Sequence, residues 1–306
     1  MGDLFGGIEA GGTKFVCMVA RGPQDIMAEA RFPTTTPAEV IPCLLSFFEP
    51  FTRQGQLAGV GIGSFGPVDL APESETFCYI TTTPKPGWAH TDLCGAVRQA
   101  LNVPVTVDTD VNAAAFGELY WVAENRRLDP LLYVTIGTGI GLGAIVNGRP
   151  VHGLIHPEAG HSLIPHDWQA DPFGGVCPYH GDCWEGLASG PAMARRWGQP
   201  AESLPPDHPA WDLEANYIAL ALTNFIYTFS PRRIVLGGGV LNQPGLYAAV
   251  RLKVQQRSNG YLQSSAILDS IDDYIVAPAL GHRSGVLGAI ALAIESSSGS
   301  RHDEAM

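Results

Sequence analysis

Short apolar runs alternate with amphipathic stretches along the chain, and that alternation predicts its elements. Leu4 to Ile8 is an apolar run leading into Gly11-Gly12, and Lys14 to Val19 resumes it, so the pair reads as a hairpin turned at the glycines. Ala38 to Phe51 is apolar at helical spacing, and Val60 to Gly63 reads as a buried strand. Leu93 to Leu101 predicts a helix, Val103 to Val107 a strand, and the alanine-rich Asn112 to Glu124 another helix. A second series starts near Leu131. Leu132 to Ile136 reads as a strand, a glycine-rich turn runs from Gly137 to Gly143, and Ala144 to Val146 reads as the hairpin partner. The two halves thus open alike, a pattern of internal duplication. Val151 to Gly190 lacks periodicity, and a stretch that long is functional or disordered; its cysteines and histidines favour function. Ser189-Gly190-Pro191 can start a helix, Leu213 to Phe229 is a long apolar helix, and Arg233 to Leu236 is a strand running into Gly237-Gly238-Gly239. Gly285 to Ile294 closes the pattern, and disorder is expected after Ser296. Strands alternating with helices define an α/β fold.

Composition narrows the partners. A chain of 306 residues, 45% of them hydrophobic, can bury a large core, and its length favours two domains. With 18 Lys+Arg against 30 Asp+Glu, the net charge of -12 argues against nucleic acid and anionic membranes. No leader, myristoylation signal or bilayer-length apolar run is seen, so a cytoplasmic protein is expected. Six cysteines in a chain this long do not make a disulfide scaffold; Cys17, Cys43, Cys78 and Cys94 are expected as buried thiols.

Cys177 and Cys183 differ. With His180 they form C-x2-H-x2-C, and Pro178 and Gly181 suit a turn that aims all three at one point. Zinc takes thiolate and imidazole ligands in a tetrahedron. His161 is the natural fourth ligand, with His156, His166 and Asp182 as competitors. Four protein ligands would close the metal, which makes the zinc structural and argues against a zinc hydrolase.

Gly11-Gly12-Thr13-Lys14 and Gly137-Thr138-Gly139 are turns whose backbone N–H groups can approach a phosphate, or they are simple hairpin turns. Their matching places in two halves favour a nucleotide held between domains. Gly61-Ile62-Gly63-Ser64-Phe65-Gly66 fits a dinucleotide pattern, but Pro67-Val68 opens no helix to receive a pyrophosphate. Asp108-Thr109-Asp110-Val111-Asn112 sits between a strand and a helix, where a carboxylate can serve a ligand or cap the helix. Glu158 and Glu185 flank the metal ligands and could hold hydroxyls.

Together these segments resemble the ROK family of sugar kinases and repressors, above all its fructokinase branch. The resemblance covers nearly the whole chain and rests on six runs. These are Gly7 to Lys14, Asp108 to Ala114, Ile136 to Gly141, Glu158 to His161, Cys177 to Glu185 and Leu236 to Gly239. It implies an actin-like, ribonuclease H-like ATPase fold with two domains around a cleft. The expected division is a smaller domain over 1–115, rejoined by a helix near 286–298, and a larger one over 116–285 with the zinc loop at 156–187. It further implies that Asp110 is the general base, that Glu158, His161, Glu185 and Thr109 contact sugar, and that His161 binds zinc with its other nitrogen. The turns at Gly11, Gly12, Thr13 and Lys14 and at Gly137, Thr138 and Gly139 would hold the phosphates of MgATP, with Gly238 and Gly239 near adenosine. Three positions depart from the commoner family pattern and agree with the fructokinase branch. Glu9 stands for an Asp that helps organise magnesium, Thr109 stands for Asn, and His180 stands for Cys.

The function expected is phosphoryl transfer from MgATP to the 6-hydroxyl of fructose, by a homodimer. The rivals are a hexokinase preferring mannose, glucose or an N-acetylated sugar, and a non-catalytic sugar sensor. A family repressor would need a DNA-binding region ahead of Gly11, which comes too early to leave room for one.

Overall fold

The computed structural model describes residues 3–303. In chain order the elements are β1 (Leu4–Ala10), β2 (Lys14–Gly22), β3 (Asp25–Pro33), α1 (Pro37–Arg53), β4 (Leu57–Ser64), β5 (Tyr79–Ile80), β6 (Thr91–Asp92), α2 (Leu93–Leu101), β7 (Val105–Thr109) and α3 (Asp110–Trp121). There follow β8 (Leu131–Ile136), β9 (Ile140–Val146), β10 (Arg149–Pro150), α4 (Trp184–Ala188), α5 (Gly190–Trp197), α6 (Ala210–Phe229) and β11 (Arg233–Gly237). The last are α7 (Leu246–Ser258), α8 (Ser265–Leu268), α9 (Ile271–Tyr274), β12 (Ile275–Val276) and α10 (Ser284–Asp303). The chain divides into two compact units. One comprises Met1–Arg127, Gly143–Pro157 and Ala279–Met306; the other comprises Leu128–Leu142 and Glu158–Pro278.

The first unit is built on a five-stranded sheet of order β3-β2-β1-β4-β7. β1 runs antiparallel to β2 and parallel to β4, which runs parallel to β7. Residues on β2 alternate between two cores. Phe15, Cys17 and Val19 join Val40, Leu44 and Phe48 of α1, whereas Val16, Met18 and Ala20 join Val286, Leu287 and Ile290 of α10. Both faces are buried, which is why the strand reads as one apolar run. α10 lies so close that a Cβ on Gly61 would fall 1.7 Å from the Ala289 carbonyl oxygen. Gly61 of the dinucleotide-like run therefore serves backbone packing. The start of α10 is tied down by Glu118, whose carboxylate accepts the N–H groups of Ala279 and Leu280 and the Ser284 hydroxyl.

Two readings need correction, and one strand was not expected. Cys43 is exposed, because α1 buries Val40, Leu44 and Phe48, and position 43 falls outside that stripe. α10 continues past Ser296 to Asp303, with the Ser297 and Ser298 hydroxyls donating back to the carbonyls of Ala293 and Ile294. β3 has no counterpart in the apolar pattern, since it is an edge strand with charged, partly exposed positions.

The second unit contains β8, the start of β9, β11 and β12. They belong to a five-stranded sheet of order β10-β9-β8-β11-β12, which repeats the order of the first sheet. β8 pairs parallel with β11, and β11 with β12. Gly137-Thr138-Gly139 forms the turn from β8 to β9, as Gly11-Gly12-Thr13 does from β1 to β2. Among the described residues no helix is long and apolar enough to cross a membrane.

Candidate functional site

In the second unit the segment 158–185 forms a closed loop. Cys177 and Gly181 exchange backbone hydrogen bonds of 3.2 and 2.9 Å, which makes the tight turn expected around Pro178. Gly181 sits at φ +63, and the carbonyl it carries would meet a Cβ on Gly175 at 2.0 Å. The Trp184 N–H donates to the Ser162 carbonyl at 2.9 Å and returns the loop to its origin. This brings His161, Cys177, His180 and Cys183 together, with one ligand atom from each within 4.8 Å of the others. His161 Nδ1 lies 3.7 Å from Cys177 Sγ and 3.6 Å from Cys183 Sγ, and His180 Nδ1 lies 3.6 Å from Cys177 Sγ. A zinc tetrahedron with bonds of about 2.3 Å to sulfur and about 2.0 Å to nitrogen has S···N edges of about 3.5 Å. The cluster therefore fits zinc. Burial pushes the Cys183 thiol up to about 11, so a cation must displace its proton on binding.

The three competitors for the fourth position are held elsewhere. His156 belongs to the first unit, where its Nε2 accepts the Val68 N–H at 3.1 Å and burial lowers its pKa. His166 Nδ1 faces Asp182 at 3.0 Å, and its Nε2 meets the Asp171 carbonyl at 2.9 Å.

Glu158 and His161 share one turn, in which the His161 N–H donates to the Glu158 carbonyl at 3.0 Å. Gly160 between them packs on β9, since a Cβ there would stand 2.0 Å from the Ile140 carbonyl oxygen. Glu185, in α4, reaches the same strand. Its Oε2 accepts the Ile140 N–H at 2.9 Å and would lie 2.8 Å from a Cβ on Gly139. The Cys/His loop and the second glycine turn are thus joined through Glu185. Gly239 also comes to this turn, with its N–H nitrogen 3.9 Å from where a Gly137 Cβ would be. Gly238, at φ +99, lies against the Ile136 backbone.

In the first unit β7 hands over to α3 through an ordered turn. Thr109 is the N-cap; its hydroxyl accepts the Asn112 N–H at 3.1 Å. Capping therefore falls to Thr109, and Asp110 opens the helix with its Oδ1 on its neighbour Val111 N–H at 2.9 Å. Desolvation raises the Asp110 carboxyl from 3.8 to about 6. Gly63 leaves room for this turn, as a Cβ there would lie 3.3 Å from Asp110 Cα. Glu9 is raised to about 7 by burial and then by the Asp110 charge, and its Oε2 is buried with no hydrogen-bond partner. An orphaned buried carboxylate oxygen fits a cation or a water bound to one. The first glycine turn is closed by the Gly11 N–H on the Lys14 carbonyl at 3.0 Å and braced by the Thr34 hydroxyl on the Gly11 carbonyl at 2.7 Å. Lys14 is exposed.

Two residues not singled out from the sequence stand at these turns. His152 Nε2 lies 3.0 Å from Asp108 Oδ2, and Asp108 Oδ1 accepts the Thr109 N–H and the Asn112 amide. That contact raises the His152 pKa, and its separation of 44 residues left no local signal. The other is Lys85, in the turn-forming run Thr82-Thr83-Pro84-Lys85-Pro86-Gly87-Trp88, whose proline and glycine were the available signal. Its amine approaches Gly12.

The chain is an α/β protein with paired glycine turns, a carboxylate at the end of a parallel strand and a Cys/His cluster, compatible with a metal ion, beside the second turn. The chain belongs to the ROK family, whose model matches residues 5–296. A relative from Bacillus subtilis (strain 168) is 48% identical over 290 residues, 95% of this chain and 95% of that protein. A fructokinase from Streptococcus mutans is 43% identical over 296 residues, covering 96% of this chain and 98% of that protein. The crystal structure of a ROK hexokinase from Thermus thermophilus matches with a TM-score of 0.75 at 24% identity, covering 97% of this chain and 99% of that one. The fold is accordingly the actin-like ATPase fold.

Proposed function

We propose that this chain is an ATP-dependent sugar kinase that converts D-fructose to fructose 6-phosphate. The observation that carries the reading is the joining, within the second unit, of the Cys/His cluster, the Glu158–His161 turn and the second glycine turn through Glu185 and Ile140. Relatives over nearly the full length of this chain that carry the fructokinase name support it.

Asp110 is the proposed base. Phosphoryl transfer has a loose transition state, so the hydroxyl becomes acidic only as its oxygen bonds to phosphorus. A carboxylate near pH 6 is ionised at neutral pH and can take that proton late in the step. Glu158, His161 and Glu185 are proposed to hold sugar hydroxyls, with Thr109 beside the base. His161 turns Nδ1 to the cysteines, which leaves Nε2 for sugar. Gly11, Gly12, Thr13 and Lys14, with Gly137, Thr138 and Gly139, are the proposed phosphate contacts, and Gly238 and Gly239 the adenosine contacts. Glu9 is the proposed partner, through water, of magnesium, which when bound would neutralise phosphate charge. Zinc held by His161, Cys177, His180 and Cys183 is proposed as a structural wall of the sugar pocket. A cytoplasmic homodimer follows from the same reading, and sedimentation of the purified protein tests the dimer.

The test is a kinase assay with MgATP across fructose, mannose, glucose and N-acetylmannosamine, with the product's phosphorylated position read by NMR. Fructose should give the highest kcat/KM and a 6-phosphate. A clear preference for another hexose would move the assignment to that sugar. No ATP-dependent phosphorylation of any of them would leave a sugar sensor.

A further inference from the structure

We propose that Lys85 is a catalytic residue of this kinase, its ammonium holding the transferred phosphoryl group at the first glycine turn; the inference rests on the kinase reading above. A Cβ built on Gly12 would lie 3.0 Å from Lys85 Nζ and 3.1 Å from its Cε. The space a side chain at position 12 would fill is therefore the space the lysine's end occupies. Amine and bare backbone meet at a turn whose N–H groups can face an anion.

The lysine is delivered there by a rigid support. Trp88, 0% exposed, stacks on Phe15 at 5.0 Å and meets Phe65 edge-on at 5.6 Å. Its indole N–H donates to the Thr35 carbonyl at 2.6 Å. The Trp88 backbone N–H donates to the Lys85 carbonyl at 3.2 Å, and the Lys85 N–H to the Thr83 hydroxyl at 3.4 Å. Gly87, at φ +78, permits the tight return. Phe15 lies one residue past Lys14, so the strand that leaves the glycine turn also anchors the loop that brings Lys85 back to it.

The charge is otherwise unused. Among the described residues Lys85 makes no ion pair, although the chain carries 30 Asp+Glu against 18 Lys+Arg. A half-buried ammonium held without a carboxylate at a glycine turn suits an anionic oxygen that is present only when substrate is bound. In the reaction the bond from the γ-phosphorus to the sugar oxygen forms as the bond to the β,γ-bridging oxygen of ATP breaks. The hydroxyl proton goes to Asp110, and ADP leaves with the electron pair. Lys85 transfers no proton; it donates hydrogen bonds to the peripheral oxygens, where preorganised charge is most effective.

Lys85→Met keeps the chain length and removes the charge. With MgATP and fructose it should lower kcat about 100-fold and change the fructose KM by no more than about twofold. Calorimetry should show weaker binding of the β,γ-imido analogue of ATP and unchanged binding of ADP. Lys85→Arg should retain part of the rate. A Lys85→Met enzyme with near wild-type kcat would overturn the proposal, and so would a loss expressed only as a raised fructose KM, which would make the lysine a sugar contact. Lys85→Gln carries the same expectations if the methionine variant does not fold. Asp110→Asn run alongside separates the two claims. An inert Asp110→Asn with a fully active Lys85→Met removes only the lysine, while a wild-type protein that phosphorylates no hexose removes both.

Discussion

Asp110→Asn should abolish catalysis and at the same time stabilise the protein. The carboxyl is raised from 3.8 to about 6 because its charge is partly stripped of water at the start of α3. At about 1.4 kcal/mol per pH unit, that rise means the ionised form costs the folded state up to about 3 kcal/mol. The side chain is only partly buried, so about 1–2 kcal/mol is the fairer expectation. The sign follows from proton binding. Since the folded pKa lies above the unfolded one, stability is full below about pH 4, falls as pH rises through about 6, and stays level beyond. Asparagine removes the charge at every pH. The variant should melt a few degrees above wild type at about pH 8, and the gain should shrink as pH falls below about 6 and vanish near about 4. Thermal melts of the two proteins without nucleotide, from about pH 4 to about pH 8, read this directly, and kinetics on the same samples should show kcat down by orders of magnitude. Wild-type kcat/KM should fall tenfold per unit on the acid side of about 6. A variant that melts at or below wild type at high pH would refute the desolvation argument. Near-normal turnover would refute the base.

A chelator that strips the proposed zinc, or Cys183→Ser at one proposed ligand, should lower the melting temperature and weaken fructose binding, with metal content read by mass spectrometry; a metal-free protein that keeps its fold and its sugar affinity would break the link between cluster and pocket. Glu185→Ala should raise the KM for fructose, because a proposed sugar contact is lost, and also raise the KM for ATP about tenfold, because the Ile140 N–H behind the second glycine turn loses a charged acceptor at 2.9 Å. Gly61→Ala should prevent native packing, since its Cβ would stand 1.7 Å from the Ala289 carbonyl oxygen; circular dichroism and expression yield would show it.

Much of the site was legible because its chemistry is local. Cys177, His180 and Cys183 lie within seven residues, so one turn suffices to aim them, and that turn is the one seen at Cys177–Gly181. The helices α1 and α6 show apolar spacing because each buries one broad face. α7 went unread although Leu246, Val250 and Val254 recur every four residues, for its polar residues outnumber that narrow stripe. Cys43 was misplaced since a cysteine's burial depends on which side of the helix it falls, and the stripe through Leu44 excludes it.

The Cys/His cluster and the two glycine turns show the division plainly. Residue type and spacing determined which atoms could bind a metal or a phosphate, since ligand chemistry and turn geometry are properties of a few consecutive residues. Only the tertiary structure chose His161 over His156 and His166, because the Trp184–Ser162 hydrogen bond returns one histidine to the cysteines while the others are engaged elsewhere. It also set Glu185 on Ile140, His152 on Asp108 and Lys85 over Gly12. Those contacts join residues 44 or more positions apart, and nothing along the chain encodes them until strands pair and cores close.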